Sequence, residues 1–327
     1  MIKNIPQEKE SPTDPWSQWL LHRRHGGDPK LQTVILGLVN RIRDRVLDGT
    51  DLQPGMVLVD VGSGDGLIPF GAFERVGPSI QVIFTDISAP LIERAKQLAL
   101  ERELQDRCVF LQTPAEELEG VASESADVLT SRAVLAYVGD KMKALRQFHR
   151  VLKPGGRISI GEPINRDAAI HLAAVTNYLK KQPNDASTAP TRLYQRWRSA
   201  QLPSTLEEIR NHPLTNYTER DLVNFFRQVG FSEIHLELHI DERKTSIESW
   251  DTYLDIAPLP NTPTLREILS SDFSLEEQSL LEGKLRLLFE SDLFLERDTV
   301  AYLTAVKPSV QAFTKTSQNT EAPKSLS

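Results

Sequence analysis

Apolar positions follow two alternating periods between residue 31 and about residue 162. Within 31–47, Val34, Ile35, Leu38, Val39, Ile42 and Val46 recur at helical spacing, which predicts an amphipathic helix. The run 56–61 is short, β-type and almost wholly apolar, and it is broken at once by Gly62, Gly64 and Gly66. A helix is predicted at about 68–76, a strand at 81–85, a helix at about 90–102 and strands at 107–112 and 126–131. A helix at 140–152 and a fifth strand at 157–162 follow. Strands and helices in this order make parallel β-α-β units, and therefore a three-layer α/β sheet.

After Glu162 the rhythm stops. A helical pattern with His171, Val175, Tyr178 and Leu179 covers 167–181, a polar loop 182–191, and a second helical stretch with Tyr194 and Trp197 covers 193–200. The rhythm returns at Thr218, which can cap a helix over 219–229 closed by Gly230, before a strand at 234–240. Residues 242–297 are mostly helical, with Ser274 and Glu277 spaced as a capping box, and 299–306 reads as a final strand. The expected organisation is one domain over 31–306, with insertions at about 165–217 and 242–297. A lead and cap over 1–30 precede it, and a disordered tail over 307–327 follows.

Composition narrows the classes. The chain has 327 residues, 39% of them hydrophobic and 25% charged, enough apolar content for a sizeable core. No apolar run approaches the roughly 18 residues of a membrane span. The polar start, 1–10, is not expected to be a secretory signal, and a cytoplasmic location is expected. One cysteine, Cys108, excludes a disulfide framework and a multi-cysteine metal site, and it is expected to be buried. Lys+Arg total 38 against 45 Asp+Glu, a net charge of −7, which argues against tracking a nucleic-acid backbone.

The chemistry concentrates at Asp60-Val-Gly62-Ser63-Gly64-Asp-Gly66. An apolar strand runs into a glycine turn that opens a helix, where a ligand can approach the backbone. The dinucleotide pattern from Gly62 requires glycine where Leu67 stands, and the Gly-Lys-Ser/Thr of a P-loop is missing. The acid at the strand end suits a cationic amino or sulfonium group. The next strand ends at Asp86, whose carboxylate can accept both hydroxyls of a ribose. A nucleoside joined to a cationic amino acid satisfies both, and S-adenosylmethionine is that molecule.

These residues resemble the class I S-adenosylmethionine-dependent methyltransferases. Further matches follow in order: Ala115-Glu116-Glu-Leu after strand three, Ala126-Asp-Val-Leu on strand four, and Leu152-Lys-Pro-Gly-Gly before strand five. The resemblance covers about 56–162, with weaker support at 218–240 and 299–306. It implies a Rossmann-like three-layer sandwich with a mostly parallel seven-stranded sheet and helical lid insertions. It also implies that 60–66 hold the methionine part, that Asp86 binds the ribose, and that Ile87 packs on the adenine. The backbone near Ala115 would meet the adenine edge, and Ser131 joins the cofactor set. Many relatives carry an acid just before that alanine. This chain has Pro114, which leaves Glu116 either as a substitute or facing solvent.

The acceptor is less legible. The Asn/Asp-Pro-Pro-aromatic motif of amide and base amino-nitrogen methylation is absent after strand four, where Ser131-Arg132-Ala-Val stands. A ribosomal-RNA guanine-N7 methyltransferase family also shows Ser-Arg-Ala-Val, but the acidic balance and large insertions do not match it. Arg132 could grip a substrate carboxylate or phosphate, or form a structural ion pair. His22 and His25 share a face if helical, as a base or substrate-orienting pair or as a surface His-Arg cluster. Glu162, at the end of strand five, is either a substrate contact or a loop cap. The aromatics of the first insertion suit a lid over an organic substrate or plain core packing. The second insertion either enlarges the lid or forms a dimer contact. Three functions stand: methylation of a small organic metabolite at O, C or N by a monomer or homodimer; methylation of RNA or protein; and cofactor binding without methyl transfer. No metal is expected.

Overall fold

Leu58 and Val59 on the first strand face opposite sides of one sheet, and each enters a different core. Leu58 joins Val128 and residues of three helices; Val59 joins Leu129, Ile158 and residues of other helices, among them Phe148 and Phe226. Strict alternation at fully buried positions is what a sheet covered on both faces requires. The structure, a computed structural model, describes residues 14–291 and 294–309. The expected lead before residue 14 and most of the expected tail lie outside them.

The sheet contains β1 (Val57–Val61), β2 (Gln81–Asp86), β3 (Cys108–Gln112), β4 (Ala126–Arg132), β5 (Leu152–Pro163), β6 (Ser232–Lys244) and β7 (Leu295–Val306). Their order is β3-β2-β1-β4-β5-β7-β6. β1 to β5 pair in parallel, and β7 runs antiparallel to both β5 and β6. Helices α1 (Pro15–Leu21), α2 (Pro29–Asp48), α3 (Leu67–Val76) and α4 (Ala89–Glu101) come first in the chain. Of these, α2, α3 and α4 cover one face of the sheet. Helices α5 (Lys141–Val151) and α9 (Glu219–Val229) cover the other.

Between α5 and α9 stand α6 (Arg166–Leu179), α7 (Ala189–Ser199) and α8 (Leu206–Asn211), and between β6 and β7 stand α10 (Trp250–Asp255), α11 (Leu265–Asp272) and α12 (Leu275–Phe289). The two insertions share a third core: Leu193 and Trp197 of α7 pack with Leu254, Leu265, Ile268 and Leu281. Trp197 and its edge-on partner Tyr194, 5.7 Å away between ring centroids, belong to that core.

The elements begin where their caps allow. Thr218 and Ser274 both accept their N3 amides in capping boxes, as the spacing predicts. Two boundaries differ from expectation. β5 starts at Leu152, because Leu152 pairs with Ala126 before a register shift carries the ladder to Arg157 opposite Val128. β6 and β7 reach Lys244 and Leu295, so the second insertion is shorter than 242–297 at both ends. Cys108 is only half-buried, at the start of β3 beside the edge of the α2–α4 core. No helix among the described residues is long and apolar enough to cross a membrane.

Candidate active site

The carboxyl ends of β1, β2 and β4, the place where open α/β sheets bind ligands, border a cavity of about 320 Å³. The loop from β1 to α3 forms its floor. Gly62 and Ser63 donate their amides to the Thr85 carbonyl at 2.8 and 2.9 Å, which folds this loop against β2. Gly62 has φ +68°, and a side chain there would collide with Val134. Gly66 has φ +96° and starts α3 without a side-chain cap; a Cβ there would strike the Phe70 ring. Both positions need glycine on conformation and space together.

Asp60 ends up completely buried beside this loop and accepts the Thr130 hydroxyl at 2.6 Å. Burial pushes its carboxyl up to about 8, against the pull of the Thr130 bond and the Arg132 charge. Asp86 accepts the Gly64 amide at 2.8 Å and the Ser88 amide at 2.8 Å. Burial raises its carboxyl too, and the two backbone bonds oppose that rise. Asp86 is thus locked in orientation, with lone pairs left for a ligand in the cavity it lines.

The N-terminal segment closes one side. Asp14 caps α1 through the amides of Trp16 and Ser17, and its second oxygen accepts the Ser88 hydroxyl at 2.6 Å. Trp16 meets Tyr137 edge-on with centroids 5.0 Å apart. The Trp19 indole donates to the Ala257 carbonyl at 2.9 Å, and Arg23 grips Glu267 with both guanidinium nitrogens at 2.7 and 2.8 Å. These contacts tie the cap to the second insertion, whose Pro260 also reaches the cavity.

Of the residues singled out above, Asp60, Gly62, Ser63, Gly64, Asp86, Ile87, Ala115, Glu116 and Arg132 line this cavity. Gly66 and Ser131 stand behind it. His22 ends α1 with its ring exposed, and His25 lies in the following short 3₁₀ turn, so the two do not form a helical face. His25 is buried, its Nε2 2.9 Å from the Leu21 carbonyl. Glu162 is fully buried, and its carboxylate accepts the amides of Val134, Leu135 and Ala136 at 3.0, 3.1 and 3.1 Å. It is the loop cap, not a cavity wall. Arg132 has no ion pair among the described residues. His171, Tyr178, Tyr194 and Trp197 do not line the cavity; its aromatic walls are Trp16, Trp19 and Tyr137. Arg24 also lines it. In the sequence Arg24 is one member of a His-Arg cluster, and only the fold of the cap turns it inward.

The cavity fits S-adenosylmethionine on several independent features. An acid stands at the end of each of two neighbouring strands. The Ser63 hydroxyl is buried without a hydrogen-bond partner, which a ligand group can satisfy. At Gly64 the only near atom is a Leu20 methyl at 3.4 Å, leaving open backbone between the two acids. No group of three His, Cys, Asp or Glu residues among the described residues is arranged to hold a metal.

The comparisons agree with this geometry. A methyltransferase-domain family model matches residues 52–216, half of the chain. The nocamycin O-methyltransferase of Saccharothrix syringae is 36% identical over 120 residues, 37% of this chain and 42% of that protein. A ubiquinone/menaquinone biosynthesis C-methyltransferase of Idiomarina loihiensis is 34% identical over 116 residues, 36% of this chain and 46% of its own. The Escherichia coli tRNA 5-carboxymethoxyuridine methyltransferase is 35% identical over 117 residues, 36% and 43% respectively. The chain thus spans less than half the length of these curated relatives. A solved structure described as a methyltransferase of Bacillus halodurans C-125 superposes with a TM-score of 0.50 at 17% identity, over 82% of this chain and 99% of that one, a likeness of fold. With the family model spanning the glycine loop, both strand-end acids and the β4 terminus, the chain belongs to the class I S-adenosylmethionine-dependent methyltransferases.

Proposed function

We propose that this protein transfers a methyl group from S-adenosylmethionine to a small organic acceptor. The carrying observation is that one cavity joins the donor residues to an aromatic pocket made by the N-terminal cap. Bound S-adenosylmethionine supplies an electrophilic methyl on a sulfonium, with a good leaving group. Asp60 would hold the ammonium end and Asp86 the ribose, while Ile87 and Ala115 would frame the adenine. Much of the rate can come from alignment and from excluding water. The cap serves both ends: Trp16 and Trp19 cover the cavity while Asp14 and Arg23 anchor it.

No histidine lines the cavity among the described residues. Tyr137 is held well above its ordinary value by burial and then by the Glu162 charge, so it stays a hydrogen-bond donor and not a base. The proton-accepting groups left on the cavity wall are therefore carboxylates, Asp65 and Glu116 among them.

The test is incubation with methyl-labelled S-adenosylmethionine and a fractionated cell extract. Label in the small-molecule fraction supports the proposal. Label only in RNA would favour the second reading, which rests on the likeness to a tRNA methyltransferase. Donor binding with no label in any fraction would leave a non-methylating relative.

A further inference from the structure

Two arginines enter the cavity from different parts of the chain. Arg132 comes from the end of β4, and Arg24 from the 3₁₀ turn at 23–25 after α1. Among the described residues, neither guanidinium has a hydrogen bond or an ion pair, and the Arg24 Nε is buried without any partner. Arg23, one residue away, holds Glu267 bidentately. The Arg24 guanidinium has only the face of Trp19, 5.5 Å from the ring centroid.

Two half-buried cations facing one space are costly unless an anion sits between them. Each weakens the other. Burial, then the Arg132 charge, brings Arg24 down to about 10, and burial lowers Arg132 also. Asp65 acts on both from outside ion-pair range and also faces Arg94 at 3.9 Å, while Asp60 and Glu162 act on Arg132 as well. No carboxylate among the described residues comes within ion-pair range of either guanidinium, so both stay open to an anionic group of a ligand. A planar carboxylate meets a guanidinium fork edge to edge through two parallel hydrogen bonds. Trp16, Trp19 and Tyr137 around the same space offer flat apolar walls.

We propose that the acceptor is an organic carboxylic acid with a planar apolar body, and that Arg24 and Arg132 clamp its carboxylate. This rests on the methyl-transfer reading and names its substrate class. The donor has one carboxylate of its own, and the guanidinium fork would recognise it by the same chemistry. The aromatic walls beside Arg24 assign the clamp to the acceptor, since the aliphatic methionine chain has no use for them.

The experiment takes the full chain through two arms. In the first, calorimetry measures S-adenosylmethionine binding to the wild type and to the Arg24→Met and Arg132→Met variants. In the second, the protein saturated with S-adenosylhomocysteine is titrated with benzoate, cinnamate and 2-naphthoate, each against its own amide. Circular dichroism checks that each variant is folded, and Arg132→Lys, which keeps the charge without the fork, is the conservative control. At least one acid is expected to bind at least tenfold tighter than its amide. Both Met variants should then lose about 30-fold or more in acid affinity, with donor affinity changed less than about threefold. Acids that bind no better than amides, or no acid binding at all, would overturn the inference. A loss confined to the donor arm would overturn it as well and give the clamp to the methionine carboxylate. Failure of the wild type to bind S-adenosylmethionine would instead strike the methyl-transfer reading itself.

Discussion

The Glu162 carboxylate at the end of β5 accepts the Val134 amide, in the loop after β4, at 3.0 Å. Two more amides of the same loop, from Leu135 and Ala136, complete the contact. The loop holds Arg132 at one end and Tyr137 at the other, and Ala133 between them has a left-handed φ of +53°. A buried carboxylate thus sets the shape of one cavity wall from behind. Burial raises its carboxyl, while the three amides and Lys141 oppose that rise.

Removing this acceptor is expected to be expensive. Glu162→Ala leaves three amides without a partner, and a buried unpaired group costs about 1–3 kcal/mol. A total loss of about 3 kcal/mol or more in urea unfolding is expected, with a smaller loss for Glu162→Gln, which keeps one carbonyl oxygen. A loss under about 1 kcal/mol for Glu162→Ala would remove Glu162 from this positioning role.

Gly62 and Val134 should be energetically coupled across the cavity floor. Gly62→Ala places a methyl group into Val134 and forces a left-handed φ on alanine, for about 1–2 kcal/mol from the backbone alone. Val134→Ala relieves the collision but not the backbone strain. The double variant is therefore expected to recover part of the loss, and a double-mutant cycle from urea midpoints measures it. Strict additivity would show that space at Gly62 is not limiting.

Asp60 gives the protein a pH signature. Its carboxyl, raised to about 8, is mostly protonated at neutral pH in the free protein. A cationic donor prefers the carboxylate, so binding releases a proton, and affinity should rise about tenfold per pH unit toward about pH 8 and fall above it, where the donor's own ammonium loses its proton. The effect on folding has the opposite sense. The folded value lies above the unfolded one, so the stability it contributes is fully present below about pH 4 and is lost as pH rises toward 8. Asp60→Asn should flatten both slopes, read by calorimetry and by urea unfolding across pH 5–9. Donor affinity that falls as pH rises from about 5 to about 7 would contradict the assignment.

Much of the core could be read from the chain because its determinants are local. β1 is a buried apolar run stopped by glycines, and Thr218 with Gly230 brackets α9 as its spacing predicts. The outer ends of β6 and β7 were not legible. There the ribbon leaves the core and is held by ion pairs, Arg243 with Glu296 and Asp298, and Arg297 with Glu242. Charged strands of that kind carry no apolar alternation. Positions at strand ends were legible, but orientations were not. Glu162 stands where expected yet turns toward the amides behind the pocket. Tyr194 and Trp197 read equally well as a lid or as packing, and their partners in α10–α12 lie too far along the chain to see. Arg24 was hidden because only the cap's docking through Trp19 and Arg23 turns its neighbour inward.

The pairing of Asp86 with the glycine loop offers the most direct check. Asp86 is held by the Gly64 and Ser88 amides at 2.8 Å each, so its free lone pairs face a fixed point in the cavity. Calorimetric titration of the wild type with S-adenosylmethionine, repeated with Asp86→Ala, tests whether that point receives the donor. One molecule per chain should bind the wild type, and the variant should bind at least ~10-fold more weakly, the loss of a charge-assisted hydrogen-bonding group. Absence of binding to the wild type, or equal binding to both, would contradict the cofactor site at its centre.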